Sequence, residues 1–589
     1  MGWGLVLVVV LLVVAVGLLA RDALTAREAL LEAMDEVPAA EEALRAGDVA
    51  TAEAVLADVQ PLTARARAST DGPLWSLAAH VPLFGQDVRA FSVAAATVDD
   101  LATEVLPSLS QALGTVEGDA LTLTGDGVEL APLVEAAPAM ASAAQAFDDI
   151  DARLATVDAD ALHAEVAEPY AQLVERADDL RPVVRTADRL TALGPAMLGA
   201  DGPRRYLVVA LNNAELRASG GIPGALAVLA VDGGRLTLER QATTGDVPPF
   251  AQPVLPLDPG VEQLFTDRVG RFVQDTPLTP DFPTTAALTA AMWEQSQGET
   301  LDGVVATDPV ALSYLLEATG PLDVEVADDD TVTVDSGNVV QVLLSDAYSR
   351  LEPGPQTDAF FAEVASRVLG AFLGGGADPG LARDALVRGA DEHRVQVWSA
   401  HADEQERLAG TVVAGDIDTA DRAATSVGVF LNDATGGKMG YYLDTDVALT
   451  ASACTAEGRV DAFRATLTSA APADSATSLP WYVTGGGISG VEPGSVRTIV
   501  TLYPPRGGQA GSVRLTGAAA GTLVADVAGR RAASLPVQLA PGESATVTFT
   551  TTTPAPGTTG APDRGSIDLW TTPTASEPGL EVVPVASCG

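Results

Sequence analysis

The chain has 589 residues, which is too long for one hydrophobic core and predicts about three to four structural units. Its 34 basic and 79 acidic residues give a formal charge of -45, which would repel phosphates and argues against nucleic-acid binding. Hydrophobic residues make up 47% of the chain, which is too many for a disordered protein.

The first stretch, Gly2 to Ala20, is uncharged and apolar and is about long enough to cross a bilayer as a helix. The alternative is a cleaved signal peptide. No Lys or Arg precedes the run, and a helix-forming sequence, LTAREALLEAM, follows it at once. These features favour an uncleaved transmembrane anchor over residues 1–21, with the acidic body outside the cytoplasmic membrane.

The next part of the chain, residues 22–200, has apolar side chains at helical spacing, as in Leu24, Leu30 and Leu31. Gly47 and Asp48 are typical of the end of one helix and the cap of the next. This pattern predicts an α-helical stalk.

Strands and helices alternate in residues 201–440, which predicts an α/β sandwich with a mixed or parallel sheet. Apolar runs beside Gly-rich turns are typical of strands, and Pro309 behind Asp308 is typical of a helix start. The predicted strands are Tyr206–Leu211, Ala225–Val231, Arg235–Gln241, Gly303–Thr307, Leu322–Val326 and Arg394–Ser399, and the predicted helices are Thr284–Gln295, Pro309–Thr319, Asn338–Tyr348 and Thr357–Phe372.

A group of polar residues follows the first of these strands, where α/β sheets often bind ligands. Guanidinium groups match phosphate oxygens, and glycines can present backbone N–H groups to an anion. The alternatives are that Arg217 pairs locally with Glu215, that Asn212 and Asn213 satisfy loop backbone groups, and that the glycines supply positive φ or close packing. The candidate anion-binding residues are Arg217, Arg350, Asn213, Gly220 and Gly221, the candidate acidic residues are Glu215 and Asp246, and Lys438 could face the same pocket.

From Tyr441 the chain consists of short β-rich runs separated by turns, which predicts a β-sandwich over residues 441–589. Its two cysteines, Cys454 and Cys588, are expected to form a disulfide, and the alternative is two unpaired thiols. The spacing of Cys and His matches no zinc motif, and no GxSxG sequence indicates a nucleophilic serine.

Three long runs resemble the bacterial domain of unknown function 4012 (DUF 4012), a family with no established activity. They are LNNAELRASGGIPGALAVL, PDFPTTAALTAAMWEQSQGETLDGVVATDPVALSYLLEATGPL and VFLNDATGGKMGYYL. The resemblance extends over roughly Leu62 to Leu449.

A more distant resemblance links GVVATDPVALSYLLEATGPLDVEV and the following DAYSR to the LytR-CpsA-Psr family. Members are membrane-anchored and transfer glycopolymers from polyprenyl-pyrophosphate carriers to the cell wall. The resemblance implies that Arg217 and Arg350 bind pyrophosphate and that Asp246 approximates an acidic residue of that site. Here Ala218, which follows Arg217, begins a segment without the family's metal-ligating aspartate.

We therefore expect an α+β multidomain envelope protein with a membrane helix, a helical stalk, a LytR-CpsA-Psr-like α/β sandwich and a β-sandwich. It would bind or scaffold cell-wall or exopolysaccharide components, with the membrane and a polyprenyl-linked glycan or wall polymer as partners. The alternative is a glycopolymer phosphotransferase, whose cofactor would be Mg²⁺. The first hypothesis requires no cofactor and is favoured by the missing metal-ligating aspartate.

Overall fold

The computed structural model describes residues 2–45, 48–82, 84–116, 127–327, 330–351, 354–417, 425–456, 458–554, 567–586 and 588. The chain forms two compact units, residues 1–122 with 128–201 and residues 123–127 with 202–589. The architecture is mixed α and β, with a helical N-terminal part and mixed sheets further along the chain.

The first unit is helical, as its periodicity predicts. Asp48 caps the second helix by accepting a hydrogen bond from the backbone N–H of Thr51 at 3.0 Å. Met140, Phe147 and Ile150 are fully buried in its core. Its helices are α1 Gly2–Arg45, α2 Val49–Thr70, α3 Pro73–Ala78, α4 Gly85–Asp100, α5 Leu106–Val116, α6 Ala131–Leu154 and α7 Ala164–Met197.

The predicted membrane segment is the beginning of α1. The side chains of residues 1–13, which make up much of that segment, lie outside the described part of the structure. Among the residues that are described, no helix is both long enough and apolar enough to cross a membrane.

The second unit begins with a five-stranded mixed sheet in the order β3-β2-β1-β4-β7. Strands β1 and β4 are parallel, whereas β1 with β2, β2 with β3 and β4 with β7 are antiparallel. The strands are β1 Arg204–Arg217, β2 Gly220–Asp232, β3 Arg235–Thr243, β4 Gly303–Thr307 and β7 Gln396–Ser399. The mixed sheet agrees with the sequence prediction.

Two details of this region differ from the expectation. The polar residues after Leu211 are not a loop, because β1 continues through them to Arg217 and pairs with β2 across an irregularity between Asn212 and Leu216. The predicted strand at Leu322 is not in the main sheet, because β5 Leu322–Ala327 pairs with β6 Asp330–Val334 in a separate two-stranded sheet.

Helix α9 packs on the five-stranded sheet and buries a core that includes Trp293 and Phe282. A π-helical turn, Val342–Asp346, joins α11 and α12. The helices are α8 Pro259–Phe265, α9 Phe282–Gln297, α10 Pro309–Thr319, α11 Val339–Gln341, α12 Ala347–Arg350, α13 Pro355–Leu373, α14 Pro379–Asp391, α15 Ala402–Leu408 and α16 Ser475–Ser478.

The C-terminal strands form one 11-stranded sheet instead of the two packed sheets of a β-sandwich. Hydrogen bonding continues through the middle of this sheet because β15 pairs with β11 along its length and with β12 at Arg531 and Gln509. The strands are β8 Ser426–Asp433, β9 Leu443–Thr455, β10 Gly458–Ser469, β11 Val496–Tyr503, β12 Gln509–Leu515, β13 Ala518–Ala519, β14 Leu523–Val527, β15 Arg530–Leu539, β16 Ser544–Pro554, β17 Asp568–Thr571 and β18 Gly579–Val582. The sheet curls toward a barrel around Phe463, Phe549 and Val500.

The last part of the chain that the structure describes forms a strap, which we define as residues 568–586 and 588. The strap pairs with β8 through β17 and with β9 through β18, and a disulfide joins Cys588 to Cys454 on β9. The predicted disulfide is therefore confirmed. Thr572, Pro573 and Thr574, between the two strands, are buried.

Candidate functional site

The candidate site lies at the carboxyl ends of the two parallel strands, β1 and β4. Ala210 pairs with Thr307 near the ends of this parallel ladder, so Asn212 and Asn213 follow on one strand and Asp308 on the other. Polar side chains at such strand ends are a common setting for ligand binding in α/β sheets. The structure forms two buried polar clusters here.

The first, the Arg217 cluster, comprises Glu215, Arg217, Arg268, Asp275, Asp433 and Lys438. Arg217 is 7% exposed, and its Nη2 lies 3.1 Å from Glu215 Oε1 and 3.5 Å from Asp275 Oδ1. Lys438 Nζ lies 2.5 Å from the other Glu215 oxygen, and Arg268 Nη2 lies 2.7 Å from Asp275 Oδ2. Arg217 and Asp275 are buried charges of opposite sign, and such charges are tolerated only when they are paired.

Two carboxyl groups of the Arg217 cluster differ in how readily they ionise. Burial raises the pKa of Glu215, but the charges of Lys438 and Arg217 outweigh it and hold that pKa below its usual value. Burial, followed by the negative charge of Glu215, raises the pKa of Asp433 to about 6, although the backbone N–H groups of Gly436 and Thr435 donate to its carboxylate. A proton can therefore bind reversibly within the cluster near neutral pH.

The charges of the Arg217 cluster are balanced, with three cationic and three acidic side chains. Arg217 also donates from Nη1 to the backbone oxygen of Leu216 at 3.0 Å. Its Nε is buried and has no hydrogen-bond partner within the described part of the chain. The guanidinium therefore has an unused donor at Nε, but most of its hydrogen-bonding capacity serves its own chain.

The second, the Asp308 cluster, comprises Asn213, Asp308, Arg394 and the backbone oxygens of Pro573 and Thr574. Asp308 Oδ2 accepts from Asn213 Nδ2 at 3.0 Å and from Arg394 Nη1 at 2.9 Å, while Oδ1 caps α10. The strap supplies the remaining acceptors, because Asn213 also donates to Pro573 and Arg394 to Thr574, both at 3.0 Å. The backbone oxygens of the strap thus accept hydrogen bonds from Asn213 and Arg394, at a strand end where a ligand could otherwise bind.

The strap is held beside this cluster by further polar contacts. Thr572 Oγ1 donates to the backbone oxygen of Ala218 at 3.1 Å and accepts from the backbone N–H of Leu431 at 2.8 Å. Asn432 Oδ1 accepts from the Ala218 N–H at 2.9 Å. The end of β1, strand β8 and the strap are therefore hydrogen-bonded together.

Sequence reasoning grouped some of these residues correctly. Glu215, Arg217 and Lys438 are in contact, and Arg217 pairs with Glu215 as one of the two alternatives stated. Gly220 has a φ of +130°, and a Cβ on Gly221 would lie 2.3 Å from the backbone of Asn212, so both positions require glycine for backbone reasons. The anion-binding role of these residues stays a prediction.

Two predicted residues lie apart from the clusters. Asp246 is exposed and accepts hydrogen bonds from Thr243, as a turn residue does. Arg350 is exposed at the end of α12, and among the described residues it shares no hydrogen bond or ion pair with Arg217 or Glu215. Asn212 instead donates to the hydroxyl group of Tyr348, two residues before Arg350.

Several members of the clusters were missed by sequence reasoning. Arg268 and Asp275 come from two short 3₁₀ turns between α8 and α9, Arg394 precedes β7, and Thr574 lies in the strap. Only tertiary folding brings these residues to β1. Asp433 was within reach of prediction, since it lies in the quoted NDATGGKMGYY segment beside Lys438.

No metal-binding group of three or more His, Cys, Asp or Glu side chains occurs among the residues that the structure describes.

Comparison with known proteins identifies part of the chain. Residues 201–348 match the family model described as "Protein of unknown function (DUF4012)". No curated protein matches the chain.

Two solved structures are similar to part of the chain. One is protein gbs0355 from Streptococcus agalactiae, with 13% identity over 36% of this chain and 74% of that chain and a TM-score of 0.25. The other is the transcriptional regulator yvhJ from Bacillus subtilis, with 11% identity over 35% of this chain and 77% of that chain and a TM-score of 0.21. Similarity at these TM-scores supports no inference about fold or function.

Proposed function

We propose, from the premise that residues 201–348 belong to the DUF4012 family, that this protein is a membrane-anchored, extracytoplasmic component of the bacterial cell envelope. It binds or scaffolds a cell-wall or exopolysaccharide polymer. We favour binding over catalysis because of Arg217. Its guanidinium is buried and paired with Glu215 and Asp275. A pyrophosphate would have to displace both carboxylates to reach it.

The location outside the cytoplasm is supported by the Cys454–Cys588 disulfide, since such bonds persist mainly in oxidising compartments. The apolar run from Gly2 to Ala20 supports anchoring, because its length suits a bilayer. The scaffolding role is supported by the large C-terminal sheet, whose 11 strands are separate from the five-stranded mixed sheet.

The second candidate function is a LytR-CpsA-Psr-like glycopolymer phosphotransferase. One observation favours it, namely the unpartnered Nε of Arg217, because a rearrangement that opened this buried site would give an oxyanion a guanidinium donor that the described part of the chain does not use. In this function Arg217 would stabilise the pyrophosphate and Arg350 would move toward it. If Mg²⁺ took part, Glu215 and Asp275 would be the acidic groups beside the pyrophosphate, after releasing Arg217.

Co-sedimentation tests the leading proposal. The full chain in detergent is mixed with purified bacterial wall polymer, and we expect it to sediment with the polymer but not with an inert cellulose control. Absence from the pellet at every salt concentration would refute a polymer-binding role.

A parallel titration with farnesyl pyrophosphate, with and without Mg²⁺, separates the two candidates. We expect no binding that depends on Arg350, so Arg350→Ala should behave as the wild type. Binding lost in both Arg350→Ala and Arg217→Met, but kept in the exposed-site control Arg383→Ala, would favour the transferase.

A further inference from the structure

The two ends of the 11-stranded sheet belong to the same short segment. In the order of that sheet, β17 is the first strand and β18 is the last, and both lie in the strap. β17 pairs with β8 and β18 pairs with β9, each through four residues. The strap therefore covers β8 and β9, whose backbone groups would otherwise be unpaired at two open edges of the sheet.

The surface that binds the strap is specific for the sequence of the strap. Thr572 fits between two backbone groups, because its hydroxyl group donates to the oxygen of Ala218 and accepts from the N–H of Leu431. Trp570 is buried in a core cluster that includes Phe430. We define the strap seat as the residues and strands that bind this segment, namely Asn213, Ala218, Arg394, Leu431, β8 and β9.

The strap is joined covalently to the rest of the chain at two points. One is the chain itself, which leaves β16 at Pro554, and the other is the disulfide between Cys454 and Cys588. Cys454 is exposed, and so are all four residues of β18. Without the disulfide, the end of the strap nearest Cys588 is bound only by hydrogen bonds and packing. The disulfide is therefore what confines that end to the seat of its own chain.

The occupant that fits the strap seat outside a single chain is the strap of a second copy. A second copy carries Trp570, Thr572 and the same backbone acceptors at the same spacing, so its strap would form the same hydrogen bonds in the seat. Reciprocal exchange leaves no seat empty, and it closes with twofold symmetry. Its cost is the approach of two chains that each carry a formal charge of -45, which salt screens.

We propose that copies of this protein whose Cys454–Cys588 bond is open exchange straps and form a reciprocal dimer. Each strap in this dimer occupies the strap seat of the other copy. The disulfide, once it forms, fixes the arrangement that is present, which is the strap in its own seat in the structure described above. This inference goes beyond the proposed envelope function, because it concerns self-association and does not depend on polymer binding.

The test uses the full wild-type chain in detergent, so that no substitution can impair folding. Unlabelled and nitrogen-15-labelled preparations are mixed at high salt, reduced with a dithiol and incubated under native conditions. Oxidised glutathione then accepts the two electrons and two protons that each pair of thiols releases on forming a disulfide. We expect mass spectrometry to find Cys454 of one preparation bonded to Cys588 of the other, in amounts that rise with protein concentration. The unreduced mixture is the control and should contain no such hybrid bonds.

Hydrogen exchange during the reduced incubation separates strap exchange from global unfolding. We expect the backbone amides of β11 and β15, in the interior of the sheet, to stay protected while those of β17 and β18 lose protection. Hybrid bonds that form only when β11 also loses protection would overturn the proposal, as would no hybrid bonds at any protein concentration. Hybrid Cys588–Cys588 bonds as abundant as hybrid Cys454–Cys588 bonds would also overturn it, because random collisions do not prefer the native pairing.

Two matched substitutions in β17 and directly after it test the role of the strap seat. Thr572→Val removes the buried hydroxyl group and leaves the N–H of Leu431 without its acceptor, so hybrid bonds should form about tenfold faster. Thr571→Val makes the same chemical change at the neighbouring half-buried position and should alter the rate by less than about twofold. Equal rates for the two variants would overturn the proposal, because the contacts of the seat would then not control exchange.

Discussion

Removing the disulfide by the double substitution Cys454→Ser and Cys588→Ser should destabilise the second unit strongly. The bond closes a loop with a sequence separation of 134 residues. Chain entropy for a loop of that length gives a ceiling of about 5 kcal/mol near room temperature, and measured losses are commonly about 2–4 kcal/mol. We expect a loss of about 2–4 kcal/mol, because the unfolded chain without the bond regains most, but not all, of the loop-closure entropy.

Urea unfolding of the wild type and the double variant measures this loss, with hydrogen exchange recording where the structure loosens. We expect faster exchange in β18, which has only four residues paired with β9 and is exposed. Exchange around Thr572 should rise less, because Trp570 beside it is 4% exposed and holds the strap. The control is reductant, which should reproduce the effect in the wild type and do nothing to the variant. Equal urea midpoints for the oxidised wild type and the variant would refute the reasoning.

The remaining predictions concern the buried clusters and are also measured by urea unfolding. Asp433 has a folded pKa of about 6, above its unfolded value, so the stability it contributes is present in acid and is lost as pH rises from about 4 to about 6. Relative to Asp433→Asn, the wild type should lose up to about 3 kcal/mol over that range, and parallel pH profiles would contradict this. Arg394→Met leaves Asp308 buried without its cation and should cost about 3–5 kcal/mol, whereas Arg383→Met, at an exposed ion pair, should change stability by less than about 0.5 kcal/mol. Similar losses of unfolding free energy in Arg394→Met and Arg383→Met would contradict the expectation that the buried pair stabilises the fold more than the exposed pair. Gly221→Ala should cost about 1–3 kcal/mol, because the added Cβ would lie 2.3 Å from the backbone of Asn212, while Gly224→Ala on the same strand meets only ordinary contacts at 3.6 Å.

The sequence predicted the local elements of the second unit well because their signals are local. Gly303–Thr307 and Pro309–Thr319 have the same bounds in the structure as in the prediction, since Asp308 caps the helix and Pro309 starts it. The Arg217–Glu215 pair was also foreseeable, because alternate residues of a strand lie on the same side.

The rest of the site could not be predicted because it depends on long-range pairing. Periodicity along the chain does not indicate which distant strand a segment lies beside, so the pairing of β17 with β8 and of β18 with β9 was not anticipated. The same gap explains why a sandwich was expected instead of one curled sheet. Arg350 was expected near Arg217 because of a resemblance between motifs. Such a resemblance gives the order of motifs along the chain but not the distance between residues in the folded protein.

The strap also bears on how the protein is made. Asn213 and the Pro573 oxygen to which it donates are separated by 360 positions, so the donors of Asn213 and Arg394 obtain these partners only after the strap has been synthesised. A chain that stops before this point would carry buried polar groups without acceptors and would lack the cysteine that secures them. The strap therefore makes the satisfaction of the Asp308 cluster depend on residues far along the chain, and a truncation before Thr572 would also uncover the strand edges of β8 and β9 that the strap pairs with.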